Sequence, residues 1–467
     1  MGSDDQLKAR VEQRKAWAVM LSILVIIAIL MCSQQAGTEK LTVSTRRAFL
    51  AQLPDEVGSV AQWLLAQGAV LNRCLSVQDC DKGRCVVTTC DLNVGDTLVD
   101  VPSEQLVDPY PSSASSPCPD LDTWLTEPEV AEWHLSPESL RLQLRLVVEH
   151  LRGETSPWAA YMRTIPSEFP AEMADESLAR TCLDGTPASG FALDRHFERV
   201  TAETRLLRRC IPGVTEALTN LGGEGTPSDA MFLWARHVVM SRAYAAVAER
   251  GKTSVLVPFA DLFNDHPEPS AAWKHDPTTG HFRITATQEI ASGDEVTISY
   301  GAKANDFLLL HYGFAHRENP QQTVDIALTD EHSLRAPPVR ISLPGETDGP
   351  TRLPAQLRDL RAFSPPLSSL VQEEIWSLRV VAGRCGDAAM RWSDMSGRPE
   401  GMCREYVFSI ASLAGACHQF ALQALQHLPD SGVQEVSLPH SIHTIAQGLT
   451  ASLLQQWKTD VSRRLPE

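Results

Sequence analysis

The sequence predicts an α+β protein: short strands in small sheets, a helical insertion between them, an all-α C-terminal part and a membrane-spanning helix at the N-terminus. Three observations predict it. The first is an echo between "DLNVGDTLVDVP" and "EIASGDEVTISY". Leu92 stands three residues before Gly95-Asp96 as Ile290 stands three before Gly293-Asp294, and an apolar strand follows each pair. Gly-Asp at such a place is a tight turn that fixes strand register, so two copies about 200 residues apart read as one interrupted β-fold. The second is helical periodicity in the interruption, at residues 139–154 and 228–250. The third is a charge-free apolar run at 16–32.

That run, "AWAVMLSILVIIAILMC", holds 17 residues. At about 1.5 Å per helical residue it just crosses a hydrocarbon layer roughly 30 Å thick. Lys8, Arg10, Arg14 and Lys15 precede it, Trp17 stands where an interfacial aromatic would, and Lys40, Arg46 and Arg47 follow. The charge balance favours a cytosolic N-terminus and a lumenal body. A cleaved signal peptide is the alternative, although no A-x-A-like site follows. "MGSDDQ" starts like a myristoylation site but has Gln6 where Ser or Thr is wanted. The expected location is therefore a membrane, crossed once.

The boundaries that follow are a polar tail at 1–15, the span at 16–32, a linker at 33–55, the β-fold at 56–320 with its helical insertion at about 120–240, and a helical domain at 321–467. A length of 467 residues suits two or three domains. With 43% hydrophobic and 21% charged residues, wholesale disorder is excluded. A net charge of -17 without a basic block excludes sequence-independent binding to nucleic acid, whereas an acidic surface suits a basic protein partner. Of 11 cysteines, Cys74, Cys80, Cys85 and Cys90 cluster, but without the C-x-x-C pairs of a structural zinc site. The odd total and scattered placement predict free, mostly buried thiols; an oxidising lumen would make pairs within the cluster possible.

In chain order, "VGSVAQWLLAQGAVLN" reads as an amphipathic helix and "GRCVVTTCDLNVGDTLVDVP" as two strands around a turn. "SLRLQLRLVVEHLRGE" is a helix stopped at Gly153, followed by a Trp/Tyr/Pro loop, "SPWAAYMRTIPSEFP", that packs against something. Residues 228–250 form one long helix with Ser228 as N-cap. "TSVLVPFADLFND" is a buried strand ended by Pro258. After Gln321 a proline-rich segment leads to three amphipathic helices.

Four places could carry chemistry. In "GDEVTISYGAKANDFLLLHYGF" a strand has Val296, Ile298 and Tyr300 on one face, and a short helix capped by Asn305 and stopped at Gly313 returns Tyr312 toward its end. Two phenols at one pocket mouth would be a chemical device; two core tyrosines with partnered hydroxyls are the plainer explanation. Arg242, in an apolar helix after Val238, Val239 and Met240, wants a carboxylate, from a ligand or a structural ion pair. "PFADLFNDHPEP" sets Asp261, Asn264, Asp265 and His266 after a buried strand: a ligand site, a metal-hydrolase cluster or an Asx-rich turn. "DKGRC", at 81–85, is a turn that could bring backbone amides to a ligand.

Taken together and in order, these elements resemble a SET-domain protein methyltransferase of the branch like the Rubisco large-subunit methyltransferase, over roughly 57–460. The carriers are "GRC" at a G-x-G position, "SPWAAYMRTIP", "LWARHVVMSRAY", "LVPFADLFND", "ISYGAKANDFLLLHYGF" and "LRVV". Two positions depart from the pattern: Cys85 replaces the second glycine of the G-x-G turn, and Asp265 stands where histidine is usual.

The resemblance implies a SET-type β-fold with a helical insertion, a C-terminal helical substrate-binding domain, S-adenosylmethionine as methyl donor, no metal, and a protein lysine or histidine as acceptor. It implies catalytic roles for Tyr300, lining the methyl-transfer channel, and Tyr312, its opposite wall. Arg242 would pair with the donor's carboxylate. Asn264 and the backbone of Asp265 would hold the adenosine with support from Asp261, and the Gly83-Arg84 turn would approach the methionine part. Tyr244 lies where the family shapes the choice of acceptor. The expected protein is a monomer that meets a protein substrate; a membrane-anchored SET-fold interaction module without catalysis is the alternative.

Overall fold

The computed structural model describes residues 43–80, 83–109, 116–170, 175–248, 251–326, 339–342, 370–394, 401–428, 450–451, 454–455 and 457–458. The expected membrane span at 16–32, the tail before it and most of the third C-terminal helix lie outside the described residues. Among the described residues no helix is long and apolar enough to cross a membrane. The chain divides into two compact units: Met1–Val107, Trp158–Thr164 and Tyr244–Ser299 form one, and Asp108–Pro157, Ile165–Ala243 and Tyr300–Glu467 the other.

The first unit begins with helices α1 (Val43–Ala51) and α2 (Asp55–Ala66). Val57, Val60, Ala61 and Leu64 form the buried stripe of α2, spaced as one helical face requires. The strands are β1 (Val70–Leu71), β2 (Leu75–Cys80), β3 (Gly83–Thr88), β4 (Thr97–Val101), β5 (Tyr244–Ala248), β6 (Gly251–Val255), β7 (Asn264–Asp265), β8 (Ala271–His275), β9 (Phe282–Ala286) and β10 (Thr297–Ile298). They make one four-stranded antiparallel sheet in the order β1-β4-β9-β8, the hairpins β2-β3 and β5-β6, and a short parallel pair, β7 with β10.

The echoed segments touch each other. Leu92 and Ile290 form an antiparallel bridge, each amide donating to the other's carbonyl at 2.9 and 3.0 Å. Both turns close alike: Asp96 N–H donates to Asn93 O, and Asp294 N–H to Ala291 O, each at 3.1 Å. Gly95 and Gly293 sit at φ +91° and +97°, a conformation that costs any other L-residue energy.

The expected helix at 228–250 stops early. Ser228 caps its start, accepting from Met231 N–H, but it ends at Arg242, and Tyr244–Ala248 becomes β5. An alanine-rich run that favours helix on its own instead pairs residue by residue with β6. The tyrosine supplies the reason, because its ring is buried against Phe282 and Trp273, at 4.6 and 5.2 Å between centroids. Tertiary burial outweighs a propensity of a few tenths of a kcal/mol per residue.

The second unit contains α3 (Pro137–Arg152), α4 (Glu176–Leu183), α5 (Phe191–Arg208), α6 (Ile211–Asn220), α7 (Asp229–Arg242), α8 (Asn305–Tyr312), α9 (Leu370–Ser393) and α10 (Met402–Gln426), with a hairpin of β11 (Thr323–Ile326) and β12 (Val339–Ser342). Helices α9 and α10 pack along each other, and their core takes in Leu309 and Leu310 of α8 and Cys182 and Leu183 of α4.

The expectation of free thiols is overturned. Every cysteine among the described residues is in a disulfide: Cys74–Cys90 and Cys80–Cys85 in the first unit, Cys118–Cys210, Cys182–Cys403 and Cys385–Cys417 in the second. Their Cα separations of 5.1–6.0 Å are those a disulfide requires. The odd cysteine is Cys32, inside the apolar run, so the total hid an even set.

Candidate active site

In the first unit, the sequence-predicted residues gather around the β2-β3 hairpin. Asn264, opening β7, places its Nδ2 against the carbonyl of Arg84 at 3.0 Å, the sulfur of Cys85 at 3.4 Å and Oε1 of Glu295 at 2.8 Å. One amide thus ties its own strand to two segments that are 179–180 and 31 residues from it in sequence. With Nδ2 shared among these acceptors, its Oδ1 is the polar atom left to take a hydrogen bond from a ligand. Gly83, at the start of β3, has φ +97°, and nothing lies within 4 Å of where a Cβ would stand, so the turn presents an open backbone face.

The loop at 158–164 forms the support. Arg84 donates from Nη2 to the carbonyl of Thr164 at 2.6 Å. Tyr161, fully buried, donates its hydroxyl to Oδ2 of Asp261 at 2.9 Å. Asp261 lies in the 3₁₀ turn Ala260–Leu262, which packs on β3. Phe259, just before that turn, is held at φ +70° while fully buried; a non-glycine residue in that region carries strain of about 1–3 kcal/mol, of the kind found at functional sites. Asp265 is buried and pairs in parallel register with Ile298, as Asn264 does with Thr297.

Tyr244 is also buried, and its hydroxyl donates to the carbonyl of Ala260 at 2.7 Å. In this structure it braces the turn that carries Asp261. Trp273, stacked on Phe282, donates from Nε1 to the carbonyl of Ser299 at 3.1 Å and so fixes the residue before Tyr300. Thr297 is buried rather than exposed as strand alternation would have it, because it exchanges hydrogen bonds with Ser270.

The second unit holds the other set. Tyr300 and Tyr312 stack with ring centroids 5.1 Å apart and planes 29° from parallel, and Phe314 meets both edge-on at 6.1 Å. The return of Tyr312 depends on α8, which Gly313 ends in the left-handed conformation, its N–H closing onto Leu308 and Leu309. Asn305 does not cap this helix; Ala304 occupies that position. The Asn305 side chain is buried and anchors the following loop, donating to His316 O at 2.7 Å and accepting from His316 N–H at 3.0 Å and Asn319 Nδ2 at 2.9 Å. Lys303 donates to the carbonyl of Tyr300 and keeps its ammonium 5.8 Å from the Tyr312 and Phe307 ring centroids. Arg242 is the last residue of α7, at the helix end whose dipole favours a cation.

The structure thus brings Gly83, Arg84, Asp261, Asn264 and Asp265 into one unit with Tyr244, and Tyr300, Tyr312 and Arg242 into the other. Among the described residues no group of three or more His, Cys, Asp or Glu is arranged to hold a metal ion. Sequence reasoning missed Tyr161, Glu295, Thr164 and Trp273. Only Tyr161 and Trp273 carried a signal, as aromatic residues beside polar loops.

Comparison with known proteins follows the same lines. Residues 83–301 match the SET domain family. The chain is 25% identical over 214 residues to the actin-histidine N-methyltransferase of Drosophila melanogaster, covering 41% of this chain and 39% of that protein. It is 23% identical over 309 residues to the chloroplastic [fructose-bisphosphate aldolase]-lysine N-methyltransferase of Arabidopsis thaliana, covering 60% and 57%. The chain therefore spans only about two fifths to three fifths of the length of these relatives. The solved structure of Rubisco LSMT bound to AdoMet superimposes with a TM-score of 0.53 at 18% identity, covering 79% of this chain and 92% of that one. Residues 83–301 are thus similar to the SET domain, and the fold is similar to that of the Rubisco LSMT structure.

Proposed function

We propose that this protein is an S-adenosylmethionine-dependent protein N-methyltransferase that acts on a lysine or histidine side chain. The observation that carries the proposal is the Asn264 amide, which joins the Gly83-Arg84 turn to β7 and Glu295 inside a SET domain. The residues present suit the donor. The open backbone at Gly83 admits close approach, the Asn264 carbonyl oxygen can accept from an amine, and the Glu295 carboxylate beside it suits a positive sulfonium. When bound, the donor would supply an electrophilic methyl group that needs no metal.

The protein's own part is positioning. Gly83, Arg84, Asn264, Asp261 and the Asp265 backbone would hold the donor, and Arg242 would take its carboxylate as a charge-assisted pair. Tyr300 and Tyr312 would orient the attacking nitrogen. A lysine acceptor must arrive neutral, and aromatic walls that disfavour an ammonium in water-free surroundings lower its pKa from about 10.4. For histidine that demand largely vanishes. The relatives include both kinds, since one is named for actin histidine and another for aldolase lysine.

The test is mass spectrometry of lysate proteins incubated with the protein and isotopically labelled donor. Labelled methyl groups on lysine or histidine, absent with Tyr300→Phe, are expected. Label that is unchanged by that substitution, or no label on any protein, refutes the assignment.

A further inference from the structure

The hairpin that carries the Gly83-Arg84 turn is a two-stranded sheet whose β3 is also bridged to the 293–296 segment, Val87 to Glu295, with Val296 N–H donating to the carbonyl of Val86 at 2.8 Å. Here disulfides hold it at both ends. Cys74 precedes β2 and Cys90 follows β3, with Cα atoms 5.4 Å apart. Cys80 ends β2 and Cys85 is the third residue of β3, with Cα atoms 6.0 Å apart. The second bond reaches the site itself. Cys85 is 3% exposed, and its sulfur is one of the three acceptors of the Asn264 amide. It also stands in "GRC" where a glycine would leave the turn without a side chain.

We propose that the Cys80–Cys85 disulfide is a positioning element for the donor site, so that donor binding requires the oxidised hairpin. This rests on the reading of the Asn264 cluster as the donor site. The bond fixes the sulfur that Asn264 meets and the Arg84 carbonyl next to it, which sets the orientation of the one amide that joins the three segments. Reduction by a dithiol breaks the S–S bond. Each sulfur gains a proton and the pair gains two electrons, while the dithiol becomes a disulfide. This end of the hairpin then keeps its ladder hydrogen bonds and the contacts of Arg84 with Thr164 and Asn264, and Cys85 Sγ becomes a buried thiol free to rotate away from Asn264. If the reduced tip holds the competent arrangement about a tenth of the time, apparent donor affinity falls about tenfold. Once the donor is bound the arrangement is restored, so turnover at saturating donor stays near the oxidised value. The other pairs in the molecule set the context, because a chain whose described cysteines are all paired belongs in an oxidising compartment.

The experiment is calorimetric titration of the full chain with S-adenosylhomocysteine, with methyl transfer followed in parallel to separate KM for donor from kcat. Four samples are compared: the oxidised protein, the protein after dithiothreitol, the double variant Cys80→Ser/Cys85→Ser, and Cys385→Ser/Cys417→Ser as a control in the other unit. Circular dichroism confirms that each is folded. Expected are an about tenfold weaker Kd and higher donor KM in the reduced protein and in Cys80→Ser/Cys85→Ser, a kcat close to the oxidised protein in both, and no change in the control. The double variant is expected to ignore dithiothreitol. Equal affinity in oxidised protein and in Cys80→Ser/Cys85→Ser overturns the inference and leaves the methyltransferase assignment standing. Absence of binding in every sample overturns the donor site, and the inference with it.

Discussion

At the scale of single residues, the proposed reaction gives the two tyrosines and the arginine separable duties. Tyr300 lies in a stacked pair with Tyr312, where its hydroxyl would orient methyl group and acceptor; Tyr300→Phe should lower kcat about 10²-fold or more while donor affinity stays near wild type. Arg242 ends a helix and would meet the donor's carboxylate, so Arg242→Ala should weaken donor affinity by about 1.5–3 kcal/mol, roughly tenfold to a hundredfold. Measuring kcat and the Kd of S-adenosylhomocysteine for both variants checks this, and equal loss of both quantities in both variants would contradict it. The tyrosines, Arg242, Asp261 and Asn264 were singled out in the sequence as candidates because an ordered run of motifs surrounds them. Tyr161, Glu295 and Trp273 were not, because each matters through a contact with a residue far along the chain: Tyr161 with Asp261, Glu295 with Asn264, Trp273 with Ser299. Linear spacing holds no record of such contacts.

At the scale of elements, the helix that returns Tyr312 rests on a half-buried histidine pair. His311 of α8 and His196 of α5 stand with ring centroids 5.0 Å apart, near His237 and Arg236 of α7, with Arg199 of α5 and Glu203 completing the surroundings; Arg236 and Glu203 are paired at 2.9 Å. Burial, followed by the positive charge of Arg236, pushes His196 down to about 4; burial, followed by the neighbouring His196, pushes His311 down to about 3. Both are neutral in the fold, whereas unfolded they titrate near 6.5. Below that pH the unfolded chain binds protons that the folded one refuses. Their contribution is therefore complete above about 6.5 and lost as the pH falls toward about 4 and about 3, at up to roughly 1.4 kcal/mol per pH unit for each ring. The thermal midpoint should fall between pH 7 and pH 5, and His196→Gln/His311→Gln should flatten that slope; parallel slopes would contradict the account. Element by element, the glycine turns at 95 and 293 and the cap at Ser228 could be foreseen, since each is local chemistry. The helix-to-strand change after Arg242 could not, because burial of Tyr244 against Trp273 and Phe282 decides it.

At the scale of the whole molecule, the β-fold is assembled from segments on both sides of the helical stretch, and the Leu92–Ile290 bridge shows why the sequence repeats itself there: the two copies pair. The disulfides are the feature that sequence reasoning misjudged. Spacing alone cannot say which cysteines meet, and the eleventh, in the apolar run, disguised ten partners. We propose that the apolar run at 16–32 anchors the chain in a membrane with its body in an oxidising lumen, and the paired cysteines support that location. Alkylation of the denatured, unreduced protein isolated from cells should then modify Cys32 alone; labelling at the other ten would place the body in a reducing compartment. The most direct test of the central claim is ultraviolet cross-linking of radiolabelled S-adenosylmethionine to the full chain, followed by peptide mapping. Label recovered in peptides containing residues 83–88 or 264–265, and competed away by S-adenosylhomocysteine, is the predicted result; label confined to other peptides, or none that the competitor displaces, would contradict it.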